Sequence, residues 1–431
     1  MQKLIINNFI SIKEMEIELT GFTVLIGRQA SGKSIVAKLS YFFREFVTEA
    51  LSSGIRDNQR KPSFDKELIE KFCDLFVKDM WNDKPFDITF VYSDTHSITL
   101  EKSTAKSNVK IILHDNTSIY FTQGKKKFLK YQNGLSQDQV GSASRMFQDF
   151  KFKELLYFAH ARDLQGFDAY IPASRAFFST LSDNIFSLLT ETGRLEPMLS
   201  EFGSIYSFAK DINDNKLSKS MLNSINKDMT PDIAKIIAQV DSLSYKILNG
   251  KLKTIKGEDY LETGSKDLKL IYASSGQQES LPLLVSLRML PTFWRNTQQQ
   301  YYVEEPEAHL FPEAQYDIIK IIALIRNAFD KSSNFLLTTH SPYVLSAINN
   351  LIYIDKIANS TSDGAEKLKA HDFNIHESIP FQDVRAYSID NGLATPILDH
   401  ESELIDASLI DSVSNVFADE FDTLLDLAYE D

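Results

Sequence analysis

The chain opens with apolar and polar residues alternating at strand period, then lengthens its repeat to that of a helix. Lys3–Ile6 and Glu14–Leu19 read as strands, the second with charged and apolar residues alternating, and the apolar run Phe22–Ile26 reads as a third. From Ser34 onward Ile35, Leu39, Phe42, Phe43 and Phe46 recur on one side of a helix. The polar loop RDNQRKPS and a short amphipathic helix occupy residues 56–75. From Phe86 to Lys130 the runs FDITFVYS, SITLEKS, NVKIILHD and SIYFTQG are separated by Asp, Asn, Gly and Ser, which predicts an antiparallel meander.

Residues 145–248 read as mostly helical, with no sustained heptads. The strand pattern returns over Gly250–Tyr272. After it, strands at Tyr301–Val303, Asn334–Thr338 and Leu351–Ile354 alternate with helices at Gln277–Leu290, Pro312–Phe329 and Pro342–Asn349. That alternation predicts an α/β fold, a parallel or mixed sheet flanked by helices and split in the sequence by a β and helical insertion.

The 431 residues, 43% of them hydrophobic, allow two or three domain-sized units around a large core and exclude a disordered chain. The single cysteine, Cys73, excludes a disulfide framework and a thiolate zinc site; it lies in the apolar stretch Leu68–Val77 and reads as a small core residue of a protein kept in a reducing compartment. No apolar run reaches 18 residues and the N-terminus lacks the pattern of a signal peptide, so a soluble, cytoplasmic protein without a membrane partner is expected. Net charge is −13, from 46 basic and 59 acidic residues. Beyond Arg385 there is no Lys or Arg but there are 12 acidic residues, so the first 385 positions are nearly neutral and the tail carries the acidity. Within that tail Leu409, Ile410, Val413, Val416, Phe417, Phe421, Leu424 and Leu425 keep helical spacing, as a helix packed on the core or as one that docks a basic partner or mimics nucleic acid.

Four segments carry chemistry. Gly27-Arg28-Gln29-Ala30-Ser31-Gly32-Lys33-Ser34 matches GxxxxGK[ST] and sits between a predicted strand and a predicted helix. Its two glycines permit a turn whose backbone N–H groups face a phosphate, Lys33 reaches the β- and γ-phosphates of ATP or GTP, and the Ser34 hydroxyl suits Mg²⁺. Tyr301-Tyr302-Val303-Glu304-Glu305-Pro306-Glu307-Ala308-His309 runs a short apolar strand into adjacent carboxylates. Glu304 fits the acid that holds Mg²⁺, and Glu305 the base that prepares the attacking water. Asn334-Phe335-Leu336-Leu337-Thr338-Thr339-His340 ends another strand on a histidine placed to meet the same water and the γ-phosphate. Ser274-Ser275-Gly276-Gln277-Gln278-Glu279 opens a helix and offers a second anion-binding surface, with Ser275 as its N-cap.

Taken in order, GRQASGKS, ASSGQQE, YYVEEPEAHL and LLTTHSP resemble the ABC-type ATPase head of the SMC, RecF and OLD (overcoming lysogenisation defect) group. EEPEAHLFP and the segment Tyr170-Ile171-Pro172-Ala173-Ser174-Arg175 are similar to the OLD-like branch found in bacterial phage-defence ATPases. The resemblance covers residues 1–60 and 150–400, and residues 60–145 only in character. It implies ATP and Mg²⁺ as cofactors, with Ser275, Gly276 and Gln277 meeting the γ-phosphate of ATP held by a partner copy. A head-to-tail dimer or higher homo-oligomer follows from that. Glu304 stands where many members have Asp, Gln277 and Gln278 depart from the usual Gly-Gln, and Gln165 is a candidate for the family's glutamine downstream of the phosphate loop. Arg175 either contacts nucleotide or pairs with an acid in the sheet.

On this reading residues 1–55 form the N-terminal part of the head, 56–145 a helical and antiparallel β subregion, 146–175 a return to the core, and 176–249 a helical insertion. Residues 250–400 form the C-terminal part with signature, acid pair and histidine, and 401–431 an acidic C-terminal helix. About 90 residues follow His340 and none reads Asp-x-Asp, so the nuclease domain of OLD enzymes is not expected, nor are SMC-type arms. The resulting expectation is an ATPase that serves as the regulatory or sensor subunit of an anti-phage system. Its effector, a nuclease or toxin, would be a separate chain, and DNA or a phage protein its trigger. The alternative is a DNA-repair ATPase of RecF type, for which Lys125-Lys126-Lys127 with Phe121, Phe128 and Tyr131 would form a phosphate-contacting hairpin.

Overall fold

The computed structural model describes residues 2–133, 166–180, 196–214, 229–255, 258–264, 266–294, 297–329 and 333–406. Three strands, β1 (Gln2–Phe9), β2 (Ile12–Leu19) and β3 (Phe22–Ile26), lead into helix α1 (Lys33–Tyr41), which continues through a π-helical turn (Phe42–Val47) into α2 (Thr48–Arg56). After α3 (Lys61–Leu75) come β4 (Phe86–Ser93), β5 (His96–Lys102), β6 (Lys110–Leu113) and α4 (Asp115–Asn133). Strand β7 (Phe167–Ile171), the short helix α5 (Ala176–Thr180), α6 (Pro197–Asn213) and α7 (Pro231–Leu248) follow. A small antiparallel sheet of β8 (Lys251–Ile255), β9 (Glu258–Thr263) and β10 (Lys266–Lys269) precedes α8 (Ser275–Trp294). The chain then alternates β11 (Gln299–Glu304), α9 (Pro312–Ala328), β12 (Ser333–Thr339), α10 (Pro342–Ser360) and α11 (Gly364–Ala370) before the hairpin β13 (Val384–Asp390) and β14 (Leu393–Pro396).

Among the described residues the main sheet has eleven strands in the order β6-β5-β4-β1-β2-β14-β13-β3-β12-β11-β7. One half, β6 to β1 and β2, is antiparallel; the other, β13-β3-β12-β11-β7, is parallel. The split inferred from the sequence is therefore real: β3 from the N-terminal part lies between β13 and β12 from the C-terminal part. Strand period then sorts side chains between two cores. Phe22, Val24, Tyr301, Val303, Phe335 and Leu337 enter the core formed with α6 to α10, whereas Leu25, Tyr302 and Leu336 enter the core formed with α1 to α4. Cys73 packs half-buried against the second core, and burial pushes its thiol pKa up.

Three expectations are corrected. SIYFTQG is not a strand but part of α4, because Thr117, Phe121, Gly124 and Phe128 recur three or four apart and are all buried. Lys125–Lys127 therefore lie on a helix, not at a hairpin tip; Lys125 Nζ stands 4.0 Å from the Phe121 ring centroid and donates to the Gln59 carbonyl. Leu351–Ile354 belongs to α10, where Val344, Leu345, Ile348, Leu351 and Ile352 form one buried helical stripe. Of the proposed C-terminal helix, residues 401–406 form turns and the short strand Leu404–Ile405, and Ala407–Leu427 lies outside the described residues, as does Gln165.

The parallel half is tied to the α1 layer by a bidentate ion pair. Arg44 Nε and Nη2 donate to the Asp168 carboxylate of β7 at 2.8 and 2.9 Å, and Nη1 to Gln2 at 2.9 Å. Burial lowers the Arg44 pKa, but Asp168 more than offsets this and holds it above the usual value. Asp168→Ala leaves that guanidinium buried without its acid, and a loss of about 3–5 kcal/mol in denaturant unfolding is expected.

Candidate nucleotide site

Strands β3, β12, β11 and β7 run parallel, so their C-terminal ends and the loops that follow gather at one edge. All three strand-terminal motifs read from the sequence end here. Gly27 must be glycine for lack of space: a Cβ would lie 2.2 Å from the Ile389 carbonyl oxygen of β13. Gly32 must be glycine for its backbone, with φ +110° just before α1, and Ala30 takes a left-handed φ of 58°. Arg28, Gln29, Ala30 and Ser34 are exposed, while Gly32 and Lys33 are buried at the base of the loop. Lys33 Nζ donates to the Gly27 and Arg28 carbonyls, both at 2.8 Å, and lies 3.5 Å from Ser31 Oγ. Burial lowers its pKa against the opposing pull of Glu305, Glu307 and Glu304.

The histidine and the acid pair reach the same place. His340 Nδ1 stands 3.5 Å from Lys33 Nζ, and its Nε2 stands 3.2 Å from Glu305 Oε1. Lys33, His340 and Glu305, three residues assigned roles from separate motifs, thus form one contiguous row. Glu304 follows Tyr302 by two positions and pairs with Thr338, so it faces the α1 side of the sheet. One of its oxygens accepts from the Ala173 N–H at 3.2 Å; the other is buried with no hydrogen-bond partner of good geometry among the described residues, although the buried Tyr170 hydroxyl lies beside the carboxylate.

That orphaned oxygen bears on Mg²⁺. Among the described residues no group of three or more His, Cys, Asp or Glu could hold a metal ion. The donor set of Ser34 hydroxyl and Glu304 carboxylate fits an ion that keeps most of its coordination for water and phosphate oxygens.

Two residues without an assigned role prove structural to the site. Glu307 is buried; its Oε1 accepts from Thr339 Oγ1 at 2.6 Å and from the His340 N–H at 2.9 Å, fixing the turn that presents His340. Ser274, not Ser275, opens α8: its hydroxyl accepts from Gln277 N at 3.3 Å, and Gln277 Oε1 accepts from Ser274 N at 3.0 Å, a reciprocal capping box. Gln277 Nε2 donates to Leu248, so this side chain is spent within its own chain, while Ser275 and Gly276 keep the helix entrance. Arg175 pairs with an acid, but one on a helix and not in the sheet: the side chain is fully buried and its acid is Glu279 of α8, 3.8 Å away.

Residues 169–345, from β7 to the first turn of α10, match the family model AAA_15, described as an AAA ATPase domain. The chain carries an ATPase domain. The matched span contains Arg175, the α8 entrance, the acid pair and His340. Several solved structures align over most of this chain. One is an SMC head bound to the C-winged helix domain of ScpA: 13% identity, 93% of this chain and 98% of that one covered, TM-score 0.41. A second is the SMC head domain from Thermotoga maritima, at 12% identity over 92% and 97%, TM-score 0.35. A third is the Smc head domain with an extended coiled coil bound to the C-terminal domain of ScpA derived from Pyrococcus furiosus, at 13% identity over 96% and 100%, TM-score 0.37. These likenesses are too distant to assign a role. No curated protein matches the sequence. Among the described residues no helix is long and apolar enough to cross a membrane.

Proposed function

We propose that this ATPase binds Mg·ATP on the loop Gly27–Ser34 and hydrolyses it with Glu305 as general base, between two copies arranged head to tail. The observation that carries the reading is the row Lys33, His340, Glu305 at adjoining strand ends. Lys33 leaves its loop carbonyls for phosphate oxygens, and His340 lies between that lysine and the base, where the γ-phosphate and attacking water meet. Glu305, with its side chain 38% exposed, takes the proton of that water. Ser34 and Glu304 would hold the Mg²⁺ ion, which would supply charge neutralisation to the phosphates. The α8 entrance is turned to other work within its own chain: residues 274–278 bond to Leu248, Leu270, Ile271 and Ser179, not to the phosphate loop. A second copy is therefore what Ser275 and Gly276 have free to meet, as the family resemblance implies.

In cellular terms we propose the regulatory or sensor subunit of an anti-phage system acting with a separate nuclease or toxin. The OLD-like segments YIPASR and EEPEAHLFP support it. The DNA-repair alternative loses the base-stacking part of its motivation, since Phe121 and Phe128 are buried in the core; Lys126 and Lys127 stay exposed on α4. The arrangement is tested by concentration dependence and mass. ATP should convert monomer to dimer in sedimentation, specific activity should rise with protein concentration, and Ser275→Arg should abolish both while each protomer still binds ATP. Full turnover by a strictly monomeric chain would sink the shared site.

A further inference from the structure

A fully buried arginine joins three segments of the site, and the proposed chemistry gives it no role. Arg175 follows β7 by four residues. Its Nη1 donates to the carbonyls of Pro172 at 3.0 Å and Glu304 at 2.6 Å, its Nη2 to that of Glu305 at 3.0 Å, and its Nε to that of Glu279 at 3.2 Å. One planar group thus binds the end of β7, the first turns of α8 and the end of β11. The contact is answered from the other side, because the Glu279 carboxylate accepts from Arg175 N at 3.0 Å and Ala176 N at 2.6 Å. Pro282 adds to the grip: lacking an N–H, it frees the Gln278 carbonyl inside α8, and Ser179 Oγ of α5 donates to it at 2.5 Å.

What Arg175 holds is a backbone that needs holding. Glu305 has a φ of +42°, a left-handed conformation that a non-glycine residue keeps only when its surroundings impose it. Its N–H donates to Thr338 at 2.8 Å, and its carbonyl accepts from Ala308 N at 3.0 Å as well as from Arg175. That conformation sets the direction in which the carboxylate leaves the strand end toward His340. The far end of the same loop, His309 at φ +59°, is pressed by the α8 entrance, where a Cβ on Gly276 would lie 2.8 Å from the His309 carbonyl oxygen. Both ends of the acid loop are therefore braced on α8, one through Arg175 and Glu279, the other through Gly276.

We propose that Arg175 is a positioning residue for Glu305, which with Glu279 locks the base to the helix whose entrance meets the partner copy's nucleotide. It rests on the reading of Glu305 as base. Anything that shifts the α8 entrance then moves the base, so occupancy of one composite site is passed to the chemistry of the protomer that supplies the entrance.

The test measures ATP affinity and kcat separately in the full chain. Turnover by the wild type and its loss in Glu305→Gln establish the base; failure there defeats the functional reading and is seen before Arg175 is touched. Arg175→Met should bind a non-hydrolysable ATP analogue within threefold of wild type and lose kcat by about 10²-fold, as a displaced reacting group does. Arg175→Lys keeps the charge but cannot span the Glu304 and Glu305 carbonyls as a fork, and should lose kcat by about tenfold at unchanged affinity. If Arg175→Met does not fold, by circular dichroism, the lysine variant decides alone. Wild-type kcat in the folded variants, or kcat and affinity falling together, would overturn the proposal.

Discussion

Glu305→Gln is expected to hold ATP as tightly as the wild type and to hydrolyse it about 10²–10⁴-fold more slowly, the span that a positioned general base contributes. The amide keeps the shape of the carboxylate and leaves the backbone that Arg175 and Thr338 secure. It keeps an acceptor for His340 Nε2, 3.2 Å from the present oxygen, but it cannot take a proton from water. Binding and chemistry therefore separate at this position, as they cannot at the phosphate loop. Single-turnover phosphate release against equilibrium ATP binding reads the two apart. The variant should also accumulate as the ATP-bound dimer, since the step that reopens it is removed. A phosphate-release rate equal to wild type would remove Glu305 as the base.

The parts of this site legible in the sequence are those in which local pattern and chemistry coincide. Each of β3, β11 and β12 is an apolar run that ends on its functional residues, and a parallel sheet brings such ends to one edge whatever the loops between them do. Arg175 and Glu307 carry no such pattern. Arg175 meets the Glu304 and Glu305 carbonyls about 130 positions away in sequence and Glu307 meets Thr339 at 32, so their roles exist only once the sheet has formed. The misread elements fail for a different reason. In SIYFTQG the residues between the buried stripe of α4 include Ile119, Tyr120 and Thr122, which favour strands locally, and the stripe, Thr117 to Phe128, shows only over twelve residues. Leu351–Ile354 looks like a strand for the same cause, with Tyr353 exposed on the outer face of α10. The tertiary environment overrode propensity in both.

Lys33→Ala should act one step earlier than Glu305→Gln and remove nucleotide binding itself. In the free protein the ammonium is held by its own loop, at 2.8 Å from the Gly27 and Arg28 carbonyls, and its burial depresses its pKa, so its charge is poorly compensated. A phosphate offers what the loop lacks, a negative partner for a charge already stripped of water. Two charge-assisted hydrogen bonds at about 1.5–3 kcal/mol each give at least about 3 kcal/mol. Their loss weakens ATP by about 10²-fold or more. Thermal unfolding with and without nucleotide measures it. At ATP one hundred times the wild-type Kd, the wild type gains about 2.7 kcal/mol by linkage, and Lys33→Ala should gain well under 1 kcal/mol. The difference from Glu305→Gln is the decisive comparison: one variant keeps the ATP-induced shift and loses turnover, the other loses both. An unaltered shift in Lys33→Ala would mean that the phosphates do not lie on the loop Gly27–Ser34, and the row of Lys33, His340 and Glu305 would lose its substrate.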